Sequence, residues 1–201
     1  MRAVSYLAAA CLTLFVVPAL AQEGTPTRIR GTVEKLDGQT LVVKSREGQA
    51  LSVILSNDLK VSAVNKAQLS DIKQGDFIGT AAVPGTDGKL HAQEVLIFPE
   101  ALRGAGEGHR PWDLTPDSTM TNATVAEVAE GAKGRLLKLK YKDGEKEIEV
   151  PMEAPIVTLA PGDPSLLQPG TAVFISAMKA ADGTLSASRV TAGKDGVPPP
   201  M

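Results

Sequence analysis

Apolar and polar side chains alternate along much of the chain. Ile29, Gly31 and Val33 interleave with Arg30, Thr32 and Glu34; Leu41 and Val43 follow a turn at Asp37-Gly38; Leu51, Val53 and Leu55 follow another at Glu47-Gly48. Successive residues of a strand face opposite sides of a sheet, so this alternation predicts strands with one buried face, and Asp-Gly predicts a hairpin. The pattern returns later with Leu137 and Leu139, a turn at Asp143-Gly144, then Ile148 and Val150. After each third strand, residues 65–72 and 163–167 predict a helical turn or two. Asn65 and Asp163 serve there as N-caps, and Pro164 takes the first helical position, where its missing N–H is not needed. Gly75 and Gly170 end these turns. Two further strands follow in each half, over 77–83 and 90–98, then over 172–178 and 185–192.

The two halves repeat one another. Thr32-Val33 returns as Thr124-Val125, and Arg46-Glu47-Gly48 as Lys142-Asp143-Gly144. Gln74-Gly75, Asp87-Gly88, Leu90, Ala92 and Val95 return as Pro169-Gly170, Asp182-Gly183, Leu185, Ala187 and Val190, at a constant offset of 95 residues. Self-similarity at this spacing reads as two copies of one small domain, 27–98 and 121–192. Three strands, a short helix and two strands are the order of a five-stranded Greek-key barrel of the OB type. The expected fold is therefore all-β, with two tandem OB-like barrels.

The Thr-Val pair, the alternating Leu/Val strand, the Asp/Glu-Gly turn and the segment Asp71-Ile72-Lys73-Gln74-Gly75-Asp76 resemble small exported bacterial domains of unknown function with an OB-like barrel. The resemblance covers both halves and implies a fold, not catalytic residues. The second copy departs from it where Pro169-Gly170-Thr171 replaces Gln74-Gly75-Asp76, which points to an altered rim loop.

The N-terminus reads as an export signal over 1–21. Arg2 precedes an apolar run from Ala3 to Val17, Pro18 breaks it, and Ala19-Leu20-Ala21 forms a small-x-small cleavage site. The run is shorter than the roughly 20 residues of a membrane span, which disfavours a retained anchor. Cys11, the single cysteine, falls within the leader. The mature chain then lacks a disulfide, a thiolate metal site and a cysteine nucleophile, and the expected location is periplasmic or secreted.

The whole chain has 21 Lys+Arg and 23 Asp+Glu, a net charge of −2. Without Arg2 the mature chain is slightly more acidic, which argues against nucleic acid or an anionic membrane as main partner. Aromatic residues make up 3%, too few for the stacking platform of a nucleic-acid-binding OB barrel. The histidines, His91 and His109, belong to no hydrolase or phosphate-loop motif. His91 reads as a surface residue, and Asp71, Asp76, Glu94 and Glu100 as solvated turn and strand-end carboxylates. No cofactor is called for.

The connection over 99–120 carries the densest chemistry. Gly104, Gly106 and Gly108 alternate, and His109, Arg110, Pro111, Trp112 and Asp113 follow, with Trp112 the single tryptophan. One reading makes this a clasp in which Trp112 plugs an interface. The other makes Arg103, His109, Arg110, Trp112 and Asp113 a recognition surface for a periplasmic protein or a small anionic ligand. A non-enzymatic binding module is the leading expectation. A metal site of His109 with Met120, Glu107 or Asp113, taking copper, zinc or nickel, is the alternative, and an envelope enzyme using carboxylates that sequence does not pair comes after it. Asn122 begins an Asn-x-Thr sequon, and the tail 193–201 reads as disordered.

Overall fold

The computed structural model describes residues 24–200, so the leader over 1–21, its cleavage site and Cys11 lie outside the described residues. The alternating segments form twelve strands: β1 (Thr25–Asp37), β2 (Thr40–Ser45), β3 (Ala50–Ala67), β4 (Phe77–Pro84), β5 (Leu90–Ile97), β6 (Gly108–Pro111), β7 (Thr119–Glu130), β8 (Gly134–Tyr141), β9 (Gly144–Pro151), β10 (Ile156–Pro161), β11 (Ala172–Lys179) and β12 (Leu185–Ala192). Helical structure among the described residues is limited to 3-10 turns at Leu69–Asp71, Glu100–Leu102 and Pro164–Leu166. The protein is all-β, as the alternation predicts.

Five strands close a barrel in the order β12-β11-β1-β2-β3, with β12 returning to pair in parallel with β3. Its core holds Leu41, Val43, Val53 and Ile175, all fully buried. The strands β5-β4-β7-β8-β9 form a second run of pairings, around Ile78, Leu137, Leu139, Ile148 and Val150. Here β9 meets β5 again through two residue pairs alone, Leu90 with Ile148 and His91 with Glu149. β10 bridges the two groups, antiparallel to the end of β3 and parallel to β5. A third cluster of Val64, Leu96 and Val157 lies at this bridge.

The closed barrel thus takes three strands from the first half of the chain and two from the second, and the other run of pairings takes two from the first half and three from the second. The segments 27–98 and 121–192 do not close on themselves; they exchange their last two strands. The exchange is reciprocal down to single hydrogen bonds. Gly75 N–H donates to the carbonyl of Val125 and the N–H of Val125 to that of Asp76, each at 2.8 Å. Gly170 N–H donates to the carbonyl of Val33 and the N–H of Val33 to that of Thr171, also at 2.8 Å. These are the repeated Thr-Val pairs and the repeated glycines, each meeting the other half. Both glycines have φ of +92°, a left-handed conformation that side-chain-bearing residues disfavour, which explains their recurrence. The Asp76-to-Thr171 change leaves this loop's backbone bonding intact.

Both long first strands carry a bulge just beyond the Thr-Val pair, between Val33 and Lys35 in β1 and between Val125 and Glu127 in β7. An extra residue bends and twists a strand, which a small barrel needs in order to close. Asp163 caps its turn as expected, its side chain accepting from Ser165 N–H at 2.8 Å. Asn65 does not: it belongs to β3, where it pairs with Thr158, and the other turn begins at Gln68, whose N–H donates to the Asp71 carboxylate at 2.8 Å. The tail also departs from expectation. Lys194 and Val197 bridge, Val197 packs on the third cluster and Pro200 is buried.

Candidate functional site

The connection over 99–120 is structured throughout. The turn Glu100–Leu102 leads to β6, which lies antiparallel on β7 and projects the following residues toward β1. Alternation along this short strand puts His109 and Arg110 on opposite faces. His109 Nδ1 lies 2.8 Å from the Thr121 hydroxyl, and its ring stacks on Tyr141 with centroids 6.5 Å apart. Burial, with the charges of Lys146 and Arg110, holds the His109 pKa below its usual value. Arg110 turns the other way and donates to the Gly106 carbonyl at 2.7 Å.

Trp112 and Asp113 reach across to β1. The guanidinium of Arg28 sits 4.0 Å from the indole centroid, that of Arg110 at 5.4 Å and that of Arg30 at 5.9 Å. Arg30 also donates to the Asp113 carboxylate at 2.8 Å, with Arg28 at 3.7 Å. Burial raises the Asp113 pKa, but the Arg30 hydrogen bond and the charges of Arg30 and Arg28 outweigh it and leave the carboxyl below its usual range. Burial and the neighbouring Arg28 push Arg110 down. Two polar atoms here, Arg30 Nε and Trp112 Nε1, are buried without a hydrogen-bond partner among the described residues, an arrangement that costs free energy unless something bonds to them.

Of the five residues singled out by sequence, Arg110, Trp112 and Asp113 come together. His109 faces β7 and β8 instead, and Arg103 is held elsewhere by Glu100, at 2.6 Å, and by the Gly75 carbonyl, at 3.0 Å. Sequence reading missed Arg28 and Arg30, although the alternation of β1 already set both on the face opposite Ile29 and Gly31. It also missed Arg46 and Lys179, whose approach depends on the β1–β2 and β1–β11 pairings. Arg28, Arg30, Arg46 and Lys179 line a cleft of about 490 Å³ together with Glu47 and Asp113.

The metal alternative centred on His109 finds no acidic partner at its ring among the described residues. Glu107 accepts from Lys142 N–H at 3.0 Å, Asp113 is taken by arginines and Met120 is fully buried. His91 is not a free surface residue: its ring contacts Asp87 at 2.9 Å and its side chain is 20% exposed. Asp71, Asp76 and Glu100 serve as local caps and an ion pair. Asn122 is buried within β7 and donates to the Ala105 carbonyl at 2.9 Å, so the folded chain does not present it for glycosylation. Comparison with protein-family models, curated proteins and solved structures found no match to this chain.

Proposed function

We propose that the chain is an exported, non-enzymatic binding module of two OB-like barrels, and that its ligand is a small anion bearing carboxylate or phosphate groups. The observation that carries this is the crowding of three guanidinium groups, from Arg28, Arg30 and Arg110, around Trp112 with Asp113 as the carboxylate among them. Arg46 and Lys179 add positive charge to the adjoining cleft, against Glu47. A chain of negative net charge concentrates cations here. Guanidinium groups bind carboxylate and phosphate through paired N–H donors, and an anion in the cleft relieves repulsion among them. The clasp reading is part of the same arrangement, because Trp112 and Asp113 join the connection to β1.

Trp112 is the single tryptophan, so its fluorescence reports on this cleft without labelling. Titration with citrate and with inorganic phosphate should change the Trp112 emission saturably. Arg46→Ala, which spares the Trp112 stack, should weaken the response about tenfold, the loss of one charge-assisted contact. An unchanged spectrum with both anions, or a response indifferent to Arg46→Ala and Arg28→Ala, would overturn the anion reading.

A further inference from the structure

A second chemical cluster lies away from the cationic cleft, where the strand group β5-β4-β7-β8-β9 closes. His91 is in β5, Glu149 is its register partner in β9, and Asp87 is in the turn before β5. His91 Nε2 is 2.9 and 3.1 Å from the two Asp87 oxygens, and its Nδ1 is 4.0 Å from Glu149 Oε2. One donor atom from each residue can be chosen so that all three lie within 4.8 Å of one another. The Glu149 side chain is 3% exposed. Its Oε1 accepts from Lys133 N–H at 2.8 Å, leaving Oε2 on the side of His91. Among the described residues no lysine or arginine pairs with this buried carboxylate; the ion-pair partner it has is His91. A buried carboxylate without a lysine or arginine ion pair is costly, and a cation offsets that cost.

The turn is built around the ring. A Cβ on Gly85 would lie 2.4 Å from His91 Cδ2 and 2.6 Å from Asp87 Oδ1, so glycine there leaves the room that His91 and Asp87 share. The pairing the cluster spans is also short, with His91–Glu149 as one of its two residue pairs. We propose that Asp87, His91 and Glu149 bind one divalent metal ion, and that this ion fastens the β5–β9 seam. One imidazole nitrogen with two carboxylate oxygens suits zinc, manganese or nickel. It lacks the sulfur donors that select copper(I), and the imidazole disfavours calcium and magnesium. Donors in a tetrahedral zinc site stand about 3.4 Å apart; Asp87 faces Nε2 and Glu149 faces Nδ1, so binding one ion requires the His91 ring to turn a single nitrogen toward both carboxylates. The exposed side of Asp87 leaves the fourth position to water.

The test is calorimetric titration of the metal-free full chain with zinc and with calcium, stoichiometry by native mass spectrometry, and melting with and without zinc. One zinc ion per chain is expected, bound at least about tenfold more tightly than calcium, with a higher melting temperature when bound. Asp87→Asn, at an exposed turn, should weaken zinc binding by about tenfold or more, and His91→Gln should abolish both binding and the melting shift. Glu149→Gln keeps an acceptor for Lys133 N–H and should also lose zinc; if it fails to fold, the other two variants still decide. No binding at about 0.1 mM zinc, or binding that survives His91→Gln, overturns the site. Loss on His109→Gln with retention in His91→Gln would place the ion elsewhere and equally overturn it. Binding without a melting shift would overturn the seam-fastening role.

Discussion

A fragment carrying the first half of the chain, residues 24–98, tests the strand exchange directly. It contains β1 to β5, every strand that the repeat assigns to the first copy. In the structure, however, the barrel core draws equally on both halves. Ile29, Val33, Leu41, Val43, Val53, Leu55 and Val61 come from the first; Leu167, Val173, Ile175, Ala177, Ala187, Val190 and Ala192 come from the second. Removing the second set deprives the fragment of four large buried side chains, Leu167, Val173, Ile175 and Val190. At about 1.5 to 3 kcal/mol for each, that is about 6 to 12 kcal/mol of lost burial. A typical domain is stable by about 5 to 15 kcal/mol in total. The fragment also leaves β1 and β3 with open edges that β11 and β12 would have covered, and β4 and β5 without β7 and β9. It should therefore be unfolded, with a collapsed amide proton spectrum and no cooperative urea transition. Mixing it with residues 99–201 at equal concentration should restore dispersion, because each fragment holds what the other lacks. A fragment that folds alone, with a urea midpoint near that of the full chain, would refute the exchange and favour self-contained copies.

Three further outcomes follow from local geometry. His109 has a folded-state pKa below its reference of 6.5, so between the two values the unfolded chain holds the proton that the native chain lacks. Its contribution to stability is complete above pH 6.5 and is lost as pH falls through the folded value. The decline in urea midpoint between pH 7 and 5.5 should therefore be shallower in His109→Gln, and an identical decline would refute the assignment. The Asp113 pair responds in a separate window, since its lowered carboxyl pKa keeps the Arg30 bond intact until the pH falls below the ordinary value of 3.8. Gly31→Ala would put a Cβ 2.2 Å from the Lys44 carbonyl oxygen and should cost about 3 kcal/mol in urea unfolding. Gly183→Ala meets open space but has φ of +88°, and should cost about 1 kcal/mol; the reverse order would refute the close-approach argument.

The strands were legible because their signal is local. A period of two in Ile29, Gly31 and Val33, or in Leu137 and Leu139, follows from strand geometry alone, and the capping of Pro164–Leu166 by Asp163 needs only neighbouring residues. The matching positions were legible as well, since Val33 and Val125, and Gly75 and Gly170, stand at corresponding places along the two halves of the sequence. Their meaning was not. The same matched residues bond across the halves as readily as they would within one, because two similar segments offer each other the same edges and apolar faces. Sequence similarity is indifferent between those pairings. The candidate site divides the same way: Trp112 and Asp113 stood out by type, whereas Arg28, Arg30, Arg46 and Lys179 became neighbours only through strand register. His91 looked like a surface residue until the β5–β9 seam set it against Glu149. Chain-local geometry is written in the order of residues; which edges pair, and which distant charges are thereby forced together, is decided only when the whole sheet closes.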